Sequence, residues 1–202
     1  MLFTDPATRH TSAVPDRSLT ALRFAVVDVE TTGFSARIEN VIELGISVQL
    51  GGREVQSFSS LVGPAVPVSP FITKLTGIRS SDLATAPLFA GIVTSVARCF
   101  DGVDFVVAHN VAFDRSFLEV AFTECRRDFP PLLPWIDPVP IARKHLGFAK
   151  LGRVAAHYGI AHDRAHRALD DARVTAAVLY RLAADLGLDS LDDLIAGRPA
   201  QR

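Results

Sequence analysis

Ala25-Val26-Val27-Asp28-Val29-Glu30-Thr31-Thr32-Gly33 places two carboxylates in alternation at the end of an apolar strand. Side chains i and i+2 of an extended chain project to the same side, so Asp28 and Glu30 stand together at roughly 7 Å along the backbone. Like charges held that close suppress each other's ionisation unless a cation lies between them. A hard divalent ion such as Mg²⁺ or Mn²⁺ suits oxygen ligands. Alone the triplet is weak, since charged residues make up about a quarter of typical chains. What the rest of the chain brings to it decides its meaning.

Working outward from that strand, extended segments are predicted at 24–29, 41–49 and 55–62, with Gly51-Gly52 as a hairpin turn between the last two. Three strands in succession predict an antiparallel meander. A Pro-rich connection (Pro64, Pro67, Pro70) leads into a turn at 71–77. Residues 86–100 carry Leu88, Ile92, Val93, Val96 and Phe100 at helical spacing. The short apolar run 105–108 predicts a central strand beside the first. Helices follow at 113–129, 141–146, 151–158 and 167–186, with Gly187 as a stop. Ser190-Leu191-Asp192-Asp193 has the form of a capping box opening a short final helix. The layout β-β-β-α-β-α-α predicts an α/β fold with a mixed sheet.

With 202 residues, of which 49% are hydrophobic, the chain has the size of one well-packed domain. Residues 1–20, rich in Thr, Ser, Pro and Asp without periodicity, are expected to be a mobile extension. The main domain is expected over 21–187, with 188–202 a short C-terminal helix and tail. A net charge of -1 excludes a strongly basic protein that coats nucleic acid. Locally, residues 126–167 hold eight Lys/Arg against three acids, which admits either a phosphate-facing surface or a solvated helical face. Cys99 and Cys125 lack metal-ligand spacing and are expected as reduced, packed thiols. No apolar run reaches membrane-spanning length and no secretory signal opens the chain, so no membrane partner is expected and a cytoplasmic location is.

Two further segments place chemistry at element ends. In Val107-Ala108-His109-Asn110-Val111-Ala112-Phe113-Asp114 a strand ends, the chain turns, and Asp114 falls in the first turn of a helix, where the dipole favours a carboxylate. His109 and Asn110 read as turn residues. In His166-Arg167-Ala168-Leu169-Asp170-Asp171-Ala172, an ideal helix at about 100° per residue sets His166 and Asp171 about 140° apart, whereas His166 and Asp170 nearly share a face. If His166 works with Asp171, it must sit on a loop before the helix, free to swing over the site. Spacing leaves Asp170 and Asp171 as alternatives.

Taken in order, Val27-Asp28-Val29-Glu30-Thr31-Thr32-Gly33, Ile72-Thr73-Lys74-Leu75-Thr76-Gly77-Ile78, Ala108-His109-Asn110-Val111-Ala112-Phe113-Asp114 and His166-Arg167-Ala168-Leu169-Asp170-Asp171-Ala172 resemble the successive motifs of the DEDDh 3'-5' exonucleases, typified by the proofreading epsilon subunit of bacterial DNA polymerase III. The resemblance covers about residues 24–186. It implies a ribonuclease H-like α/β fold, a mixed sheet of three antiparallel strands followed by parallel ones, flanked by helices. It also implies two Mg²⁺ or Mn²⁺ ions held by Asp28, Glu30, Asp114 and Asp171, with His166 as general base. The family's histidine stands five positions before its last acid, which selects Asp171 over Asp170. Tyr158 and Tyr180 do not fit the family's tyrosine branch. In the implied roles Asp28 bridges both ions, Glu30 and Asp171 complete the site of the ion activating water, and Asp114 serves the second, directly or through water.

The implied partner is nucleic acid with a single-stranded or frayed 3' end, DNA ahead of RNA or short oligonucleotides. A noncatalytic binding module on the same fold is the reading from another class. Thr31, Thr32 and Gly33 are candidates for backbone approach to the terminal nucleotide. Leu75, Thr76, Gly77 and Ile78 are candidates for an apolar wedge against the last base, Phe34 for stacking on a base, and His109 and Asn110 for further substrate contacts. The family's epsilon subunits carry a longer C-terminal tail, so a free-standing enzyme is expected ahead of one stably attached to a polymerase.

Overall fold

Alternating burial along the first strand creates two sheet faces, and each is covered by helices. In the computed structural model, which describes residues 18–63, 67–129 and 133–197, β1 (Phe24–Thr31), β2 (Val41–Leu50) and β3 (Arg53–Leu61) form the antiparallel meander. Both glycines of the β2–β3 turn, Gly51 and Gly52, have positive φ (64° and 76°), as a two-residue hairpin of matching twist requires. β4 (Phe105–Val107) and β5 (Trp135–Ile136) run parallel beyond β1, giving the order β3-β2-β1-β4-β5. This is the expected mixed sheet.

Phe24, Val26, Phe105 and Val107 face α5 (Pro138–Leu146), α6 (Leu151–His157) and α7 (Ala168–Leu186), with the Phe24 and Phe105 rings stacked at 4.7 Å. Ala25, Val27, Val29, Leu44, Ile46 and Val48 face α3 (Phe89–Arg98) and α4 (Val111–Glu124). A strand covered on both sides reads as a near-continuous apolar run. That is why Asp28 and Glu30 stand out in β1.

Several local expectations are corrected. Residues 71–77 form no simple turn: α1 (Pro70–Thr76) begins where the Ser69 side chain accepts the Ile72 N–H, has Pro70 at its first position, and ends on Gly77 at φ 75°. With α2 (Ser80–Leu83), α1 packs Ile72, Ile78 and Leu83 over Ile42. β5, flanked by prolines, was not expected. α3 and α4 are shorter than predicted, and α4 starts before Phe113 because Asn110 adopts φ 90° ahead of it.

Most of the expected N-terminal extension, residues 1–17, lies outside the described residues. Ser18 bridges Ser190, and Leu19 is buried with its N–H donating to Asp189 O. α8 (Leu191–Ala196) opens on the expected capping box, and its Leu191 and Leu194 join the core beneath α7. Cys99 is buried, Cys125 is partly so, and both are free thiols. Among the described residues, no helix is long and apolar enough to cross a membrane.

Candidate active site

Asp28 and Glu30 alternate with the apolar residues of β1 and share the face of Phe24 and Val26, beneath α7. β2 makes room for that helix. Gly45 lies opposite Asp28, and a Cβ there would collide with the backbone of Ala168 and Leu169. Glu43 lies opposite Glu30, is 2% exposed, and accepts from Arg167 Nη2 at 2.8 Å and from the Ala168 N–H at 3.1 Å. The first turn of α7 is thus fastened to the sheet beside the two acids. Glu43 is not among the expected site residues, although it stands out in the sequence as an acid inside the apolar run Val41-Ile42-Glu43-Leu44.

Asp114 arrives from the other side of the sheet. It is 3% exposed in the first turn of α4, and its Oδ1 accepts the Val29 N–H at 3.0 Å, between Asp28 and Glu30. Asp137 sets the position of α4. Its carboxylate accepts the N–H groups of Asn110, Val111 and Val139, capping α4 and α5 together. This residue was also missed, although Asp137-Pro138 is a helix-start signal.

Asp171, 7% exposed in the first turn of α7, closes the cluster. Its Oδ2 accepts the backbone N–H of His166 at 3.1 Å. His166 precedes the helix with a left-handed backbone (φ 63°) and an exposed ring. The histidine therefore sits on a loop, as cooperation with Asp171 requires. Asp170 turns outward, 3.0 Å from Arg164 and 3.8 Å from Arg173. A histidine absent from the sequence argument, His162, places Nε2 2.6 Å from Asp171 Oδ1.

These groups line one cleft of about 190 Å³, where Asp28, Glu30, Asp114, His166 and Asp171 meet. Burial, reinforced by Asp114, Asp171 and Glu30, holds Asp28 well above the usual carboxylate range, although part of it opens to the cleft. Burial and then Asp171 push Glu30 up to about 8. Asp114 is likewise pushed up to about 8 by burial, against the opposing hydrogen bond from Val29. Four acids sharing so little water call for cations. Glu30, His166 and Asp171 offer ligand atoms within 4.8 Å of one another. A predominantly carboxylate donor set fits hard divalent ions.

Thr31, Phe34, Leu75, Thr76 and His109 also line the cleft. Phe34 is 76% exposed, with Phe71, a residue the sequence reasoning did not single out, tilted against it at 6.4 Å. His109 Nε2 lies 2.6 Å from Ala149 O, and burial pushes its imidazole down. The other expected contacts lie outside this lining. Thr32 donates to Glu39, and Gly33 faces the same Glu39 side chain. Gly77 ends α1, Ile78 is buried in the small core over Ile42, and the Asn110 N–H is turned to Asp137. In the basic stretch, Arg164 and Arg167 are engaged with Asp170 and Glu43, while Lys150 and Arg153 remain exposed.

Residues 25–179 match the model of a family described as RNase T, exonuclease. The chain belongs to this exonuclease family. The family found is thus the one the motifs resemble. Within it, the chain is 36% identical over 159 residues to a PolC-type DNA polymerase III of Clostridium perfringens, covering 77% of this chain and 11% of that protein. It is 32% identical over 176 residues to the 3'-5' exonuclease DinG of Staphylococcus saprophyticus, covering 85% and 19%. The chain spans a tenth to a fifth of the length of these relatives.

Among solved structures, exonuclease X in complex with 5' overhanging duplex DNA superimposes with a TM-score of 0.68 at 23% identity, over 86% of this chain and 99% of that one. The nuclease domain of 3'hExo, a DEDDh family member bound to rAMP, gives 0.71 at 20% identity, over 83% and 94%. These likenesses establish the ribonuclease H-like exonuclease fold.

Proposed function

We propose that this chain is a divalent-metal-dependent 3'-5' exonuclease acting on single-stranded or frayed 3' ends of DNA and releasing nucleoside 5'-monophosphates. The convergence of Asp28, Glu30, Asp114, Asp171 and His166 in one cleft carries the proposal. Those four carboxylates would hold two Mg²⁺ or Mn²⁺ ions. Ions bound there would ease deprotonation of water and neutralise charge on the attacking and leaving oxygens. The imidazole of His166, beside Glu30 and Asp171, accepts the proton of the attacking water through a ring nitrogen. Water oxygen bonds to the terminal phosphorus as the P–O3' bond breaks. The penultimate nucleotide keeps a free 3' hydroxyl, and the last one leaves with its 5' phosphate.

Phe34 and Leu75, exposed at the cleft's mouth, supply apolar surface for the terminal base. DNA is favoured because a relative sharing 36% identity is named as a DNA polymerase III. The presence of all five groups in one cleft weighs against a noncatalytic binding module.

The test incubates the protein with labelled single-stranded oligonucleotides, 3'-blocked or unblocked, in Mg²⁺, Mn²⁺ or chelator. Stepwise shortening of the unblocked strand alone, abolished by chelator, is expected. Equal loss of blocked strands, or undiminished activity in chelator, overturns the proposal. RNA of the same sequence degraded faster than DNA would reassign the substrate.

A further inference from the structure

His162 lies outside the motifs and plays no part in the chemistry above, yet it makes a close contact with one of the acids. It stands in the loop between α6 and α7, its Nε2 2.6 Å from Asp171 Oδ1, with the two side chains only 12% and 10% exposed. Its Nδ1 side lies along Gly152 of α6. The opposite carboxylate oxygen, Oδ2, accepts the His166 backbone N–H. The terminal torsion of an aspartate is broad, so a carboxylate with no partner turns freely about its Cβ–Cγ bond. Hydrogen bonds on both oxygens stop that rotation. They also fix the orientation in which Asp171 meets Glu30 and His166.

We propose that His162 is a positioning residue for the metal site, donating from Nε2 to Asp171 Oδ1 and thereby setting affinity for divalent ions without entering the bond-making step. The proposal rests on the metal-dependent reading of the cleft. Groups that orient a metal ligand typically change affinity or activity by about 10- to 100-fold when removed. The same contact ties the loop to α7 at one end, as Arg167 ties it to Glu43 at the other. Only the exposed residues Asp163, Arg164 and Ala165 separate His162 from His166.

The test titrates metal-free wild type, His162→Ala, His162→Leu and His162→Gln with Mn²⁺ by calorimetry, then follows turnover of a labelled oligonucleotide as Mn²⁺ is raised. Circular dichroism checks each fold. His162→Ala is expected to weaken Mn²⁺ binding about 10- to 100-fold, with turnover restored at saturating Mn²⁺. His162→Leu fills the space of the ring without a donor and should behave alike, so a lost hydrogen bond is separated from a lost fold. His162→Gln, whose amide can donate in the ring's place, should recover most of the affinity. Unchanged or tighter binding in both His162→Ala and His162→Leu overturns the proposal. So does turnover lost at saturating Mn²⁺, which would make the ring a reacting group. Failure of the wild type to take up Mn²⁺ overturns the metal-dependent reading itself, and this inference with it.

Discussion

Asp170 and Asp171 are neighbours in the chain with opposite surroundings. Asp171 is buried against His162 and the His166 backbone, whereas Asp170 pairs with Arg164 and Arg173 toward solvent. Asp171→Ala should therefore abolish turnover and leave the fold intact, since removing one of four crowded acids relieves repulsion. Asp170→Ala loses exposed ion pairs worth about 1 kcal/mol or less and should keep near-normal turnover. Steady-state rates and thermal melts of the two variants check this, and the reverse result would move the proposed metal site by one position. Helical spacing could not choose between these acids, and only the family's histidine-to-acid distance pointed to Asp171. The acid inside the apolar run marks Glu43 as unusual, but the partners of Glu43 and His162 lie in contacts across 124 and 9 positions of chain. No local pattern encodes such pairings.

At the scale of elements, the site depends on how closely α7 approaches β2. Gly45 permits the approach, and Glu43 holds the helix there through Arg167 and the Ala168 N–H. A methyl group at position 45 has only backbone to displace, so the helix must retreat. Gly45→Ala should cost about 1–3 kcal/mol of stability, as overpacked cores do, and should lower turnover by withdrawing Asp171 from Glu30. Denaturant unfolding and rate measurements on this variant test the coupling; full activity at wild-type stability would show that α7 is not seated by Gly45. The long helices and the meander were legible from periodicity and the Gly51-Gly52 turn. α1 was overlooked because its Pro-rich approach reads as a turn, although Ser69-Pro70 and Gly77 mark its two ends. β5 spans two residues, Trp135–Ile136, too few for alternation to register.

For the whole molecule, the acid cluster is an electrostatic load on folding. Glu30 and Asp114 are each pushed up to about 8 in the folded chain, against ordinary values near 4 in an unfolded one. Between those limits the folded state binds more protons at these two groups than the unfolded state, so their contribution to stability is fully present below about pH 4 and is lost as pH rises through about 8. The metal-free protein should melt at progressively lower temperature from pH 5 to pH 8.5, and added Mn²⁺ should largely remove that decline. Thermal melts with and without chelator measure it, and a melting temperature that rises with pH in chelator would refute it. Four motifs in order made the fold and the acids readable. The burial that shifts those acids emerges only when strands and helices from both faces close around them.

The left-handed backbone of His166 carries a further consequence. Such a conformation is uncommon for residues bearing a Cβ, and it is maintained here at the residue proposed as the proton acceptor. Glycine would adopt that backbone without steric cost. On the proposed role of His166, catalysis and durability pull position 166 in opposite directions.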